Sequence, residues 1–172
     1  MILNGYPGSG KTTFAKFCEQ IIHNEGYDVF NRSTIDAVKS IASKCGWDGT
    51  KTPRNRQFLS DLKQLLIKYN DFCLNDIVGF VETVRTAPLK NETKCTIFVD
   101  CREREEIEKL KNAFPNDTVK VVCVIRNIDM SEITNHADRD VYDIKYDYYI
   151  NNNESLEHLF NEARLFCKSI LN

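Results

Sequence analysis

Apolar and polar positions along this chain follow two different periods. Cys95-Thr96-Ile97-Phe98-Val99 and Val121-Val122-Cys123-Val124-Ile125 are apolar or nearly so at consecutive positions. That pattern predicts strands over Thr96–Asp100 and Val119–Ile125, each buried on both faces. Met1 to Asn4 is a shorter apolar start, Tyr27-Asp28-Val29-Phe30 reads as a second strand and Tyr148-Tyr149-Ile150 as the last. Between them the apolar residues recur every three to four positions. Phe14, Phe17, Cys18, Ile21 and Ile22 mark a helix from Thr12 to about Asn24, ended by Gly26. Ser33 or Thr34 is the expected cap of a helix through about Ser43, stopped near Gly46. Thr52 before Pro53 has the form of a cap followed by proline at the first helical position. Phe58, Leu59, Leu62, Leu65, Leu66 and Tyr69 then repeat at core spacing. A further helix is expected after Asn75 and before Pro88, an amphipathic one over Glu103–Ala113, and a closing one over Ser155–Leu171.

Apolar strands separated by helices predict an α/β architecture, a parallel sheet covered on both faces. About sixty residues before Thr96 show helices and no strand pattern, too long for a simple crossover. This stretch is expected to form a helical insertion.

One segment carries specific chemistry. Gly5-Tyr6-Pro7-Gly8-Ser9-Gly10-Lys11-Thr12 matches G-x-x-x-x-G-K-[ST] at every fixed position, with an apolar strand before it and a helix after it. Glycines let the backbone turn its N–H groups onto a phosphate, and the helix beginning at Lys11 directs its positive end at the same anion. The Lys11 ammonium can span a transferred phosphoryl group and the Thr12 hydroxyl can ligate magnesium. Asp100 ends an apolar strand, where a carboxylate can hold magnesium through water. The alternative for Asp100 is a solvated acid after a core strand. No N-K-x-D guanine motif occurs; Arg126-Asn127-Ile128-Asp129 follows Ile125 instead.

Composition narrows the picture further. With 172 residues the chain is one domain's worth, able to bury roughly 70% of its unfolded surface. It is 42% hydrophobic and 28% charged with a formal net charge of -2, so no single-sign field points to nucleic acid. No apolar run approaches the roughly 20 residues of a membrane span, and a leader peptide is not expected because the phosphate motif starts at once. The seven cysteines are scattered, without a C-x-x-C pair. They read as reduced core residues of a cytoplasmic protein.

The phosphate loop Gly5–Thr13 resembles that of nucleoside monophosphate kinases of the adenylate kinase type. Phe98-Val99-Asp100-Cys101-Arg102 with Glu106 is similar to the Asp-x-Arg-x-x-x-Glu pattern of phage and bacterial deoxynucleoside monophosphate kinases. Gly46-Trp47-Asp48-Gly49-Thr50-Lys51, with Arg54, Arg56 and Leu59, and Tyr146-Asp147-Tyr148-Tyr149-Ile150-Asn151-Asn152 also look like theirs. The resemblance implies a three-layer P-loop kinase fold with a five-stranded parallel sheet of order 2-3-1-4-5. Residues 35–92 would be the helical acceptor-binding insertion and 127–147 a short lid, within a single domain spanning 1–172. It also implies transfer of the γ-phosphoryl group of ATP, with Mg2+, to a nucleoside or deoxynucleoside monophosphate.

Roles follow from the need for positive groups between two polyanions. Lys11, Arg126 and Arg139 are candidates for the transferred group. Gly5, Pro7, Gly8, Ser9, Gly10, Lys11, Thr12 and Thr13 would hold the donor phosphates, with Asn152 near the base. Thr12 and Asp100 would hold the metal, and Arg32, Arg56, Asp100 and Arg102 would meet the acceptor. Each arginine has the alternative of an ordinary surface pair with neighbouring acids. Trp47 reads as a packing anchor, with base stacking as its alternative. Two other functions stay open: a kinase of another small phosphorylated metabolite or dephospho-coenzyme A, and a regulatory nucleotide-binding module. The brevity of 127–147 motivates the last. A small-molecule nucleotide partner is expected, without nucleic acid or membrane, in a monomer or homodimer.

Overall fold

The computed structural model describes residues 1–89, 94–127, 141 and 144–171. Five strands, β1 (Ile2–Asn4), β2 (Asp28–Ser33), β3 (Cys95–Asp100), β4 (Val121–Ile125) and β5 (Tyr148–Asn151), form one sheet in the order β2-β3-β1-β4-β5. The pairs β1–β3, β1–β4 and β4–β5 are parallel. Helices lie on both sides of the sheet, and the architecture is the three-layer α/β P-loop fold. Strand order and fold class therefore agree with the sequence reading.

Six helices occur among the described residues: α1 (Lys11–Asn24), α2 (Asp36–Lys44), α3 (Pro53–Asn70), α4 (Phe72–Thr86), α5 (Arg104–Ala113) and α6 (Leu156–Leu171). The chain divides into two compact units, one of Met1–Asn31 with Pro88–Asn172 and one of Arg32–Ala87. In the first, α1 and α6 pack together over one face of the sheet. Phe14, Cys18 and Ile22 of α1 meet Leu159, Ala163 and Phe166 of α6 above Leu3, Phe98, Val122, Val124 and Ile150. Strand alternation sends Ile2 and Asn4 to the opposite face from Leu3.

The second unit corrects several expectations. Thr52 caps α3 as anticipated, its hydroxyl accepting from the Asn55 N–H at 3.2 Å. Neither Ser33 nor Thr34 caps α2; Ile35 holds that position without a side-chain bond. Asp36 instead reaches back to accept from the Ser33 N–H at 2.8 Å. The helix expected after Asn75 starts at Phe72, because Asp71 (φ 52°) reverses the chain in one left-handed residue.

The apolar stripe of α3 is wider than its buried face. Leu59, Leu62 and Leu66 are half-buried and Lys63 is buried, whereas Phe58, Leu65 and Tyr69 are exposed. At about 100° per residue the last three share one line at the edge of the stripe. Contact with α2 and α4 covers the other side. Trp47 is half-buried and its backbone N–H donates to the Ala42 carbonyl at 3.0 Å.

Of the cysteines, Cys18, Cys73, Cys101, Cys123 and Cys167 are buried as expected. Cys95 is intermediate and Cys45 exposed, because Cys45 sits at the C-cap of α2 rather than on its inner face. No helix among the described residues is long and apolar enough to cross a membrane.

Candidate nucleotide-phosphate site

The loop between β1 and α1 is built on glycine where the backbone leaves no alternative. Gly5 (φ 137°) lies so close to β4 that a Cβ there would press on the Val124 carbonyl and stand 2.8 Å from Ser9 Oγ. At Gly10 (φ 99°), the residue before α1, a Cβ would collide with Asn152 Nδ2. That amide is buried and donates to the Ser9 carbonyl at 2.7 Å. Asn152 therefore braces the loop from the end of β5, its own N–H bonded to the Ile125 carbonyl at 2.8 Å.

The Ser9 N–H donates to the Tyr6 carbonyl at 3.1 Å, closing a tight turn. Lys11, 6% exposed, folds its ammonium over the same turn and donates to the carbonyls of Gly5 at 2.7 Å and Tyr6 at 3.0 Å. A buried ammonium held by main-chain oxygens at a helix start is a cationic centre with its geometry already set. Ser9 Oγ is buried without a hydrogen-bond partner among the described residues, and such a group is costly unless something else satisfies it. Pro7, Gly8 and Thr12 are exposed, and Thr13 is intermediate. The loop thus presents an accessible rim over a rigid floor.

Asp100 closes β3 opposite Leu3, two residues before Gly5 opens the loop. Arg102 follows, half-buried, and its carbonyl accepts from Asn4 Nδ2 at 3.0 Å. Arg126, beyond the end of β4, is exposed and extends Nη1 to within 3.4 Å of the Gly8 carbonyl. Lys11, Asp100, Arg102, Arg126 and Asn152 thus all stand at the C-terminal ends of strands or in the loop itself, where ligands of open parallel sheets bind. An exposed hydroxyl at Thr12 and a carboxylate at Asp100 suit a magnesium ion that keeps most of its waters. Among the described residues, no group of three or more His, Cys, Asp or Glu is placed to hold a metal without a ligand's help.

The two arginines expected on the helical side lie in the other unit. Arg32 makes a bidentate pair with Asp76, Nη2 to Oδ1 at 2.9 Å and Nε to Oδ2 at 3.2 Å, with its guanidinium 5.3 Å from the centre of the Phe80 ring. Arg56 is exposed in the first turns of α3. Arg139 and most of the expected lid, residues 128–140 with 142 and 143, lie outside the described residues.

Sequence reasoning missed Asn4 and Tyr146. Asn4 is fully buried and bonded to both Gly5 and the Cys101–Arg102 turn. The signal was a polar residue ending an apolar strand directly before the first loop glycine.

No protein-family model matches the chain. A UPF0200 protein of Pyrococcus abyssi is 23% identical over 194 residues, spanning 99% of this chain and 96% of its own length. Among solved structures, a mutant APS kinase of Mycobacterium tuberculosis superposes with a TM-score of 0.54 at 10% identity, covering 99% of this chain and 96% of the other. The protein APE1195 gives a TM-score of 0.54 at 14% identity, covering 99% and 95%. At these identities the likeness is one of fold, and the fold it shows is the three-layer α/β P-loop fold.

Proposed function

We propose that this chain is a P-loop kinase that transfers the γ-phosphoryl group of Mg-ATP to a nucleoside or deoxynucleoside monophosphate. The observation that carries the reading is the buried Lys11 ammonium, fixed over the glycine turn at the start of α1 by the Gly5 and Tyr6 carbonyls. The P-loop kinase fold shared with an APS kinase supports it.

In the proposed reaction an oxygen of the acceptor phosphate forms a bond to the γ-phosphorus. The bond from that phosphorus to the β–γ bridging oxygen breaks, and ADP leaves with the electron pair. An acceptor that is already an anion needs no general base. Lys11 leaves its resting carbonyls to follow the charge that spreads over the transferred oxygens. The Ser9–Gly10 backbone, braced by Asn152, holds the donor phosphates. Bound magnesium would supply charge neutralisation at the donor phosphates, and Thr12 and Asp100 would be the residues that hold it. Arg126 and Arg139 are assigned to the transferred group, and Arg102, Arg32 and Arg56 to the acceptor phosphate. The helical stretch 35–92 is assigned to acceptor choice and 127–147 to the lid.

A second reading takes the likeness to an APS kinase as the guide and makes the acceptor another small phosphorylated metabolite or dephospho-coenzyme A. If that acceptor reacts through a hydroxyl, a carboxylate base is needed, and Asp100 is the candidate assigned to take its proton.

The test is ADP release from purified protein with Mg-ATP and a panel of nucleoside monophosphates, extended to phosphorylated alcohols. Turnover with a monophosphate supports the primary reading. Turnover confined to alcohols moves the chain to the second. Tight ATP binding with no turnover makes it a regulatory module. Lys11→Ala is expected to lower turnover about 100-fold or more, the scale of removing a group that stabilises transition-state charge.

A further inference from the structure

Asn4 breaks the pattern of the strand it ends. Ile2 and Leu3 are apolar and buried, as a central strand requires, and Asn4 is equally buried, with no exposed surface. A buried amide is tolerated when all its hydrogen-bonding groups are used. Here they are. Nδ2 donates to the carbonyls of Cys101 at 2.9 Å and Arg102 at 3.0 Å. Oδ1 accepts from the Gly5 N–H at 2.5 Å and from the Tyr146 hydroxyl at 3.1 Å.

The two donated bonds lie where the main-chain ladder between β1 and β3 gives out. Its last rung is the Cys101 N–H to the Leu3 carbonyl, at 3.0 Å. From there the side chain of Asn4 takes over the pairing and carries it through Arg102. The accepted bond from Gly5 belongs to the first peptide of the phosphate loop. One planar amide therefore fixes the entry to the donor loop and the backbone of the arginine assigned to the acceptor. A rotation that improves one set of bonds degrades the other, because the amide is rigid.

Tyr146 holds the amide from the far side. Its hydroxyl proton is shared between Asn4 Oδ1 and the Val141 carbonyl at 2.8 Å, and its ring packs edge-on against Tyr149 at 5.4 Å. Burial, with Cys123 beside it, pushes the phenol far up, so the hydroxyl keeps its donor proton at any working pH.

We propose that Asn4 is a positioning residue, braced by Tyr146, that couples occupancy of the phosphate loop to the backbone of Cys101–Arg102. The inference rests on the proposed function in taking the loop as the ATP site and Arg102 as an acceptor contact. Its direct consequence is that ATP in the loop stiffens the segment that follows the neighbouring strand β3.

Amide hydrogen exchange of the intact protein, with and without Mg-ATP, tests this without needing the acceptor. In the wild type, ATP is expected to slow exchange both in residues 5–12 and in residues 101–106. The second effect should be about 5-fold or more, the lower end of measurable coupling between sites. In Asn4→Ala the protection of 5–12 at saturating ATP should persist, while that of 101–106 falls below about 2-fold. A purely structural role would raise exchange in both states and leave the ATP-dependent ratio unchanged. If Asn4→Ala does not fold, Tyr146→Phe keeps the buried ring and should lower the same ratio part of the way. An unchanged ratio in whichever variant folds, or no ATP effect on 101–106 in the wild type, overturns the proposal. A wild type that shows the coupled protection but turns over no monophosphate removes the proposed function and leaves this inference standing. A wild type that binds no ATP removes both.

Discussion

Gly10 and Asn152 make a two-residue lock whose strength can be worked out from its parts. Gly10→Ala places a Cβ at φ 99°, a conformation side chains rarely adopt, and directs it at Asn152 Nδ2. Backbone strain of that kind costs about 1–3 kcal/mol. Moving the buried Asn152 amide away breaks its 2.7 Å bond to the Ser9 carbonyl, which adds about 1–3 kcal/mol when the partner is left unsatisfied. The reduced freedom of the unfolded chain returns about 0.4–1 kcal/mol. The net loss is about 3 kcal/mol, equivalent to about 6–12 °C in Tm for a chain of this size. Asn152→Ala alone removes the bond without strain and should cost about 1–2 kcal/mol. In the double variant the collision is gone, so the combined loss should fall short of the sum by about 1 kcal/mol or more. Thermal and chemical denaturation of the four proteins measure the cycle. Strict additivity would show that Asn152 does not press on the loop, and a harmless Gly10→Ala would refute the geometry altogether.

Further outcomes follow from other parts of the molecule. Asp147 is subject to burial, which raises its pKa, but the Val121 N–H at 2.8 Å and the Lys120 ammonium at 3.3 Å outweigh it and hold the carboxyl below its usual value. Its contribution is thus present above the unfolded pKa of about 4 and lost as pH falls through the lower folded value. D147N should cost about 0.5–1 kcal/mol at neutral pH, discounted for partial exposure, and the two proteins should converge in urea melts taken toward pH 3. A thiol reagent should label Cys45 fastest in the native protein, and Cys18, Cys73, Cys101, Cys123 and Cys167 mainly on unfolding; mass mapping of the labelled peptides decides. Leu65→Lys and Tyr69→Lys on α3 should each change stability by no more than about 0.5 kcal/mol, since these side chains are 64% and 82% exposed. A loss above 2 kcal/mol would return them to the core.

Much of the fold was legible because its signals are local. Continuous apolar runs marked β3 and β4, Thr52-Pro53 marked the start of α3, and the glycine spacing of residues 5–12 marked a turn that few other sequences can make. The loop residues themselves needed no tertiary information, since the positive φ at Gly5, Gly8 and Gly10 is a backbone conformation that demands glycine. What a single helix shows is a stripe, not the width of its buried face. Phe58, Leu65 and Tyr69 fit the period of α3 as well as Leu62 does, and contact with α2 and α4 selects which of them is covered. The start of α4 was misplaced for a related reason: Asp71 reverses the chain in a conformation that glycine usually supplies.

The site divides along the same line. The sequence by itself determined the glycine loop of residues 5–12, the Lys11 that closes it and the acid at the end of β3. Tertiary structure alone decided what holds them: Asn152 against Ser9, the Lys11 ammonium over Gly5 and Tyr6, and Asn4 between Gly5 and Arg102. These contacts join residues about 100 or more positions apart, or turn on the rotamer of one buried side chain. A parallel sheet brings strand ends together only after every crossover has been made, so no local pattern records which polar side chain will meet which carbonyl there.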